Sequence, residues 1–172
     1  MNDLQNIYLN VIHAIVNVKG VFDIEYGGDI QYGLKNYIAK YSLANDFYCI
    51  SENAYKFLSD KNILEPYTRS AIYKIKDFKN KKMFIFEHPI PASYVSSMII
   101  NSDRSLKSIA EILSKTDYVA ILTQDEDCEI NKTLKSSMPQ NWEIGEDNFI
   151  RYRNTSIKLL SNKVKMFGAV KR

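Results

Sequence analysis

The sequence predicts an α+β fold in which a helical N-terminal half packs with a small sheet and flanking helices. Three observations predict it. Residues 3–18 and 29–60 carry apolar positions at the three- and four-residue spacing of helices. Strand-like runs stand near 21–26, 82–87 and 117–123, and the last two read MFIF and YVAIL. Helical patterns fill the space between the second and third runs and follow the third, which is the grammar of a mixed sheet with its helices around it.

The elements follow in order. Leu4, Ile7, Tyr8, Val11, Ile12, Ile15 and Val18 form the apolar stripe of a first helix, with Gly20 as its stop. Val21 to Tyr26 alternates as a short strand, and Gly27-Gly28 then turns the chain. Ile30, Leu34, Tyr37, Ile38 and Tyr41 continue the helical half, and Ser51 caps a further helix carrying Ala54, Tyr55, Phe57 and Leu58. After Pro66, the segment YTRSAIYKIKDFKNKK reads as a short helix or twisted strand leading into a basic turn. Strand 82–87 ends at Glu87-His88 and two prolines, two helices span about 93–113, and strand 117–123 runs into a helix capped by Thr123. The acids of its first turn suit the positive end of a helix dipole. Residues 149–160 form a last strand or helix, followed by a basic tail. The chain reads as one compact domain over 1–172, with a helical sub-lobe 1–66 and an α/β sub-lobe 67–172 as its internal division.

Composition narrows the function classes. Cys49 and Cys128 lie far apart and outside any C-x-x-C pair, so no zinc site or disulfide framework is expected. No apolar run reaches membrane-span length and no signal peptide is read at the amino terminus, which together predict a cytoplasmic protein without a membrane partner. Neither a phosphate loop nor a G-x-S-x-G elbow is present. Charge is unevenly spread. Residues 67–91 hold six cations against two acids and residues 151–172 seven against none, while 92–150 hold five against ten. Arg69, Lys74, Lys76, Lys79, Lys81 and Lys82, interleaved with Tyr67 and Tyr73, together with Arg151 and Arg153, are the candidate contacts for a polyanion, DNA or RNA, because cations neutralise phosphates and rings stack on bases. A solvated positive face is the other reading of the same residues.

Glu87-His88-Pro89-Ile90-Pro91 resembles the first element of the HNH, or ββα-metal, nucleases, in which an acid-histidine pair followed by proline ends the first strand. The resemblance covers five residues. It implies a small metal-dependent nuclease, of a mobile-element or defence system, with His88 as the base that takes a proton from water. Glu87 would be a ligand to magnesium or manganese, and Asp127 and Asn131, four apart on one helix face, would complete the metal site. For that to hold, strands 82–87 and 117–123 must be neighbours. Beside this reading stand a non-catalytic nucleic-acid-binding protein that uses the basic segments, and a protein-interaction or inhibitor module that uses the acidic stretch 117–129.

Overall fold

The computed structural model describes residues 1–18, 20, 27–132 and 134–167. Among them the fold is α+β: seven α-helices with a four-stranded mixed sheet, the N-terminal helices packed together. The expected strand at 21–26 lies outside the described residues. No described helix is long and apolar enough to cross a membrane.

The chain builds two compact units, each assembled from three separated stretches. The first takes Met1–Asn45, Ile90–Asp117 and Ser136–Asn148. It packs α1 (Asp3–Val16), α2 (Gly27–Ser42), α5 (Ala92–Asn101) and α6 (Leu106–Thr116) around Leu9, Ile12, Leu34, Ile38, Val95, Ile99, Ile109 and Leu113. The buried line of α1 runs through Gln5, Leu9, Ile12 and Val16 and leaves Ile7 and Val18 exposed, a rotation from the stripe read in the sequence. Polar bonding explains it. Gln5 closes a capping box with Asn2 and donates through Nε2 to Asn45 Oδ1 at 2.8 Å, so an amide outcompetes an isoleucine for the interior. Tyr94 and Trp142 meet edge to face at 5.6 Å, and Trp142 Nε1 donates to the Asp147 carbonyl, which anchors the 136–148 loop.

The second unit takes Asp46–Pro89, Tyr118–Lys135 and the chain from Phe149 on. Its sheet has the order β2-β3-β1-β4, from β1 (Phe47–Ile50), β2 (Phe84–Glu87), β3 (Ala120–Thr123) and β4 (Val164–Lys165). β1 and β3 are parallel, with Cys49 opposite Ala120. β2 and β3 are antiparallel neighbours, with Phe84 opposite Thr123 and Glu87 opposite Ala120. β4 closes the other side of β1, antiparallel. Thus the second and third predicted strands form and pair side by side. β1 sits instead in a stretch read as helical, because FYCI is only four residues long and its apolar run satisfies either period. With β1 paired between β3 and β4, residues 46–66 belong with the sheet rather than with the helices before them.

Side chains alternate across the strands. On one face Tyr48, Phe84 and Phe86 meet Phe57 of α3 (Glu52–Asp60) and Tyr73 of α4 (Arg69–Lys74), with ring centroids 4.8–5.8 Å apart. On the other, Cys49, Ala120 and Leu122 pack with Ile130 of α7 (Gln124–Asn131), with Tyr152 in a 3-10 turn (Ile150–Tyr152), and with Ile157. Strand register assigns Glu87 to this second face, since its cross-strand partner is Ala120.

Candidate functional site

Glu87 ends β2 as expected, but its carboxylate is turned inward to a cation. Arg151 Nη1 donates to Glu87 Oε1 at 2.7 Å, and the arginine side chain is 1% exposed. The rest of the guanidinium is spent on main-chain carbonyls: His88 at 3.1 Å and Pro89 at 3.3 Å from Nη1, Lys135 at 3.1 Å from Nη2, and Leu134 from both Nε and Nη2. A planar fork of five donors is suited to gathering three chain segments in this way. The charge of Arg151, grouped in the sequence with the polyanion contacts, is therefore inside the protein, while Arg153 two residues on is exposed.

Asp127 and Asn131 share a helix face, with Asn131 Nδ2 donating to Asp127 Oδ2 at 2.9 Å. Burial pushes the Asp127 carboxyl above its usual range against the pull of Arg151. Glu87 is raised too, first by burial and further by the nearby Asp127, against the charge and hydrogen bond of Arg151. The fold thus brings Glu87 and Asp127 into mutual influence around one buried arginine. His88 is half-buried beside them with its carbonyl engaged by Arg151. Among the described residues no group of three or more His, Cys, Asp or Glu side chains is placed to hold a metal ion.

The direction of the Glu87 shift has a measurable consequence. A carboxyl raised in the folded state stabilises fully below its unfolded value, about 4.3, and that contribution is lost as pH rises through the folded value. The stability advantage of wild type over Glu87→Gln should therefore shrink as pH rises from about 4.3 toward neutrality. Urea midpoints of both proteins across pH check this, and an advantage that grows with pH would show Arg151 outweighing burial.

The expected basic turn is a hairpin. Lys76 bridges to Lys82, Asp77 N–H donates to the Lys81 carbonyl at 2.9 Å, and Asn80 takes a φ of 60° at the tip. Asp77 Oδ1 accepts from the amides of Lys79 and Lys81 at 2.8 and 2.7 Å, so the one acid of the loop is consumed in holding it. Lys74, Lys76, Lys79, Lys81 and Lys82 are exposed and Arg69 is half-buried. Phe78 projects at the tip, 93% exposed, with Lys79 Nζ 5.3 Å from its ring; Lys82 Nζ lies 5.0 Å from Tyr73.

No protein-family model, curated protein or solved structure matches the chain.

Beside the hairpin lies a groove that the sequence did not reveal. It sits at the carboxyl edge of parallel β1 and β3, where α3 and α7 begin, and it reaches Met83 because antiparallel β2 starts at that same edge. Ser51 and Thr123, both legible as helix caps, prove to be neighbours here through Glu126. Its Oε2 accepts from Ser51 Oγ at 2.7 Å, Thr123 N at 2.8 Å and Thr123 Oγ1 at 3.0 Å, and its Oε1 from Asn53 Nδ2 at 3.1 Å. The capping residues and S/T-x-x-E spacing were the available signal. Their meeting depends on a parallel pairing between strands about 70 residues apart, which no local pattern encodes.

Proposed function

We propose that the protein binds single-stranded nucleic acid through the hairpin of residues 75–83. The observation that carries this reading is Phe78. A phenylalanine 93% exposed at a hairpin tip, ringed by exposed lysines, keeps a large apolar surface in water where nothing in its own unit covers it. An unpaired base stacks on such a ring while lysines neutralise the flanking phosphates, and the combination tolerates sequence because every base has a π face. A duplex hides its base faces and offers Phe78 no partner.

Glu87 and His88 enter this reading only as structural groups. Arg151 holds the Glu87 carboxylate, so the bound strand is expected to stay intact in magnesium or manganese. Gathering of Asp127 and Asn131 near Glu87 is what favours hydrolysis as a second reading, and cleavage lost in His88→Ala would select it.

Fluorescence anisotropy of labelled single-stranded DNA, single-stranded RNA and duplex, titrated across salt, tests the proposal. Single strands should bind more tightly than duplex, with log K falling linearly in log salt. Phe78→Ala should weaken binding roughly 5- to 150-fold at unchanged salt slope, from about 1–3 kcal/mol of stacking. Lys79→Gln and Lys81→Gln should each reduce the slope by about 0.7. Absence of binding at low salt, or a Phe78→Ala variant that binds as wild type does, would overturn it.

A further inference from the structure

We propose that the groove beside the hairpin is a base-reading pocket that seats one guanine nucleotide of the bound strand, with Asp125 as the residue that recognises the base. This rests on the single-strand reading above and adds a specificity that the hairpin alone does not have. The groove encloses about 770 Å³, within the roughly 300–1,000 Å³ usual for small-ligand sites. It also occupies the edge of the sheet where α/β proteins place ligands, outside the carboxyl ends of parallel strands.

Its lining is divided by charge. The hairpin brings Lys79, Lys81 and Lys82 against a single acid, Asp77, while Asp125, Glu126 and Glu129 come from α7. Among the described residues no ion pair joins the two walls, although opposite charges line one cavity. A groove of this kind suits a ligand with an anionic end and a hydrogen-bond-donating end, and a nucleotide has both. Phe57 and Phe78 add aromatic surface for the base.

The four acids are not equivalent. Asp77 is held within the hairpin, its Oδ1 accepting from the amides of Lys79 and Lys81. Glu126 is buried and saturated by Ser51, Asn53 and Thr123. Glu129 accepts from both the amide and the hydroxyl of Ser156 at 2.7 Å, which draws its carboxyl below the usual range. Asp125 remains, exposed in the first turn of α7. A carboxylate offers two acceptor oxygens side by side, and its complement is a pair of adjacent donors. Among the bases, guanine presents that pair on its Watson–Crick edge, the ring N1–H beside the exocyclic amine. In a single strand this edge is free to be read. Uracil and thymine have one donor between two carbonyls, which a carboxylate repels.

The test compares labelled 12-residue oligothymidylate with the same strand carrying one central guanine, adenine or cytosine, bound to wild type and to Asp125→Asn. Asp125 is exposed and carries no capping bond, so the variant should fold. Wild type should favour the guanine strand over oligothymidylate by roughly 5- to 150-fold, the range for a good bidentate contact. Asp125→Asn should erase that preference and leave oligothymidylate affinity unchanged or raised. Equal binding of all four strands would overturn the pocket while leaving the hairpin reading standing. A guanine preference that survives Asp125→Asn would overturn the role of Asp125. No binding of any strand at low salt would remove the hairpin reading and this inference with it.

Discussion

Replacing Arg151 with methionine should destabilise the fold by about 3–5 kcal/mol, the usual consequence of removing one partner from a buried charged pair. Two losses combine. Glu87, 19% exposed at its side chain, loses its cation, and the carbonyls of His88, Pro89, Leu134 and Lys135 lose their donor, that of Pro89 in a buried setting and the others in part-buried ones. Those carbonyls belong to the last residues of two of the stretches that form the sheet-containing unit, and Arg151 stands near the start of the third. One guanidinium thus fastens all three. Arg151→Lys should recover little, because a single ammonium has three donors and no planar fork to span the carbonyls and Glu87 together. The double variant Arg151→Met, Glu87→Leu should recover part of the loss, since it removes the orphaned acid but not the orphaned carbonyls. Urea denaturation of the four proteins measures these differences. An Arg151→Met protein as stable as wild type would sink the idea that this arginine is the internal tie of its unit.

Arg151 also marks where sequence reasoning stops. In Arg151-Tyr152-Arg153 the two arginines look alike, and charge counting places both on a nucleic-acid surface. In the fold one is enclosed and the other exposed, because the side chains of a 3-10 turn diverge and Glu87, 64 residues away, waits on one side only. Features that rest on local chemistry were legible. Strands 84–87 and 120–123 stand within the predicted runs, Thr123 and Ser51 cap their helices, and the basic turn is a turn because Asp77 and Asn80 make it one. Features that rest on pairing were not. β1 is four residues in a helical setting and β4 two residues in a basic tail, and each becomes a strand only because a neighbour supplies the hydrogen bonds. The groove follows from β1, so it was hidden for the same reason. Glu87 itself was rightly seen at a strand end, yet its direction depended on register, which sets it opposite Ala120 and beneath the helical layer that carries Asp127.

The second large effect is expected at Glu126, the buried acid beneath the groove. Glu126→Ala should cost about 2–4 kcal/mol, since four hydrogen bonds converge on a carboxylate that is 4% exposed, and its removal strands their donors. The donors do not lose equally. Asn53 lies at the exposed edge and can turn to water, whereas Ser51 is fully buried and also caps α3 by accepting from Ala54 N at 3.1 Å. Ser51→Ala alone should therefore cost about 1–2 kcal/mol, most of it the cap. If Ser51 and Glu126 act as one network, the double variant should lose less than the sum, with a coupling of about 0.5–3 kcal/mol. Glu126→Gln should fall between wild type and alanine: its one acceptor oxygen can take the place of Oε2 and serve Ser51 and Thr123, while its N–H₂ group faces only Asn53, which must turn away and loses its bond. Thermal or urea unfolding of the single and double variants supplies the cycle. Strict additivity would mean that the carboxyl ends of β1 and β3 are held by main-chain pairing alone, and the floor of the groove would then be independent of the acid beneath it.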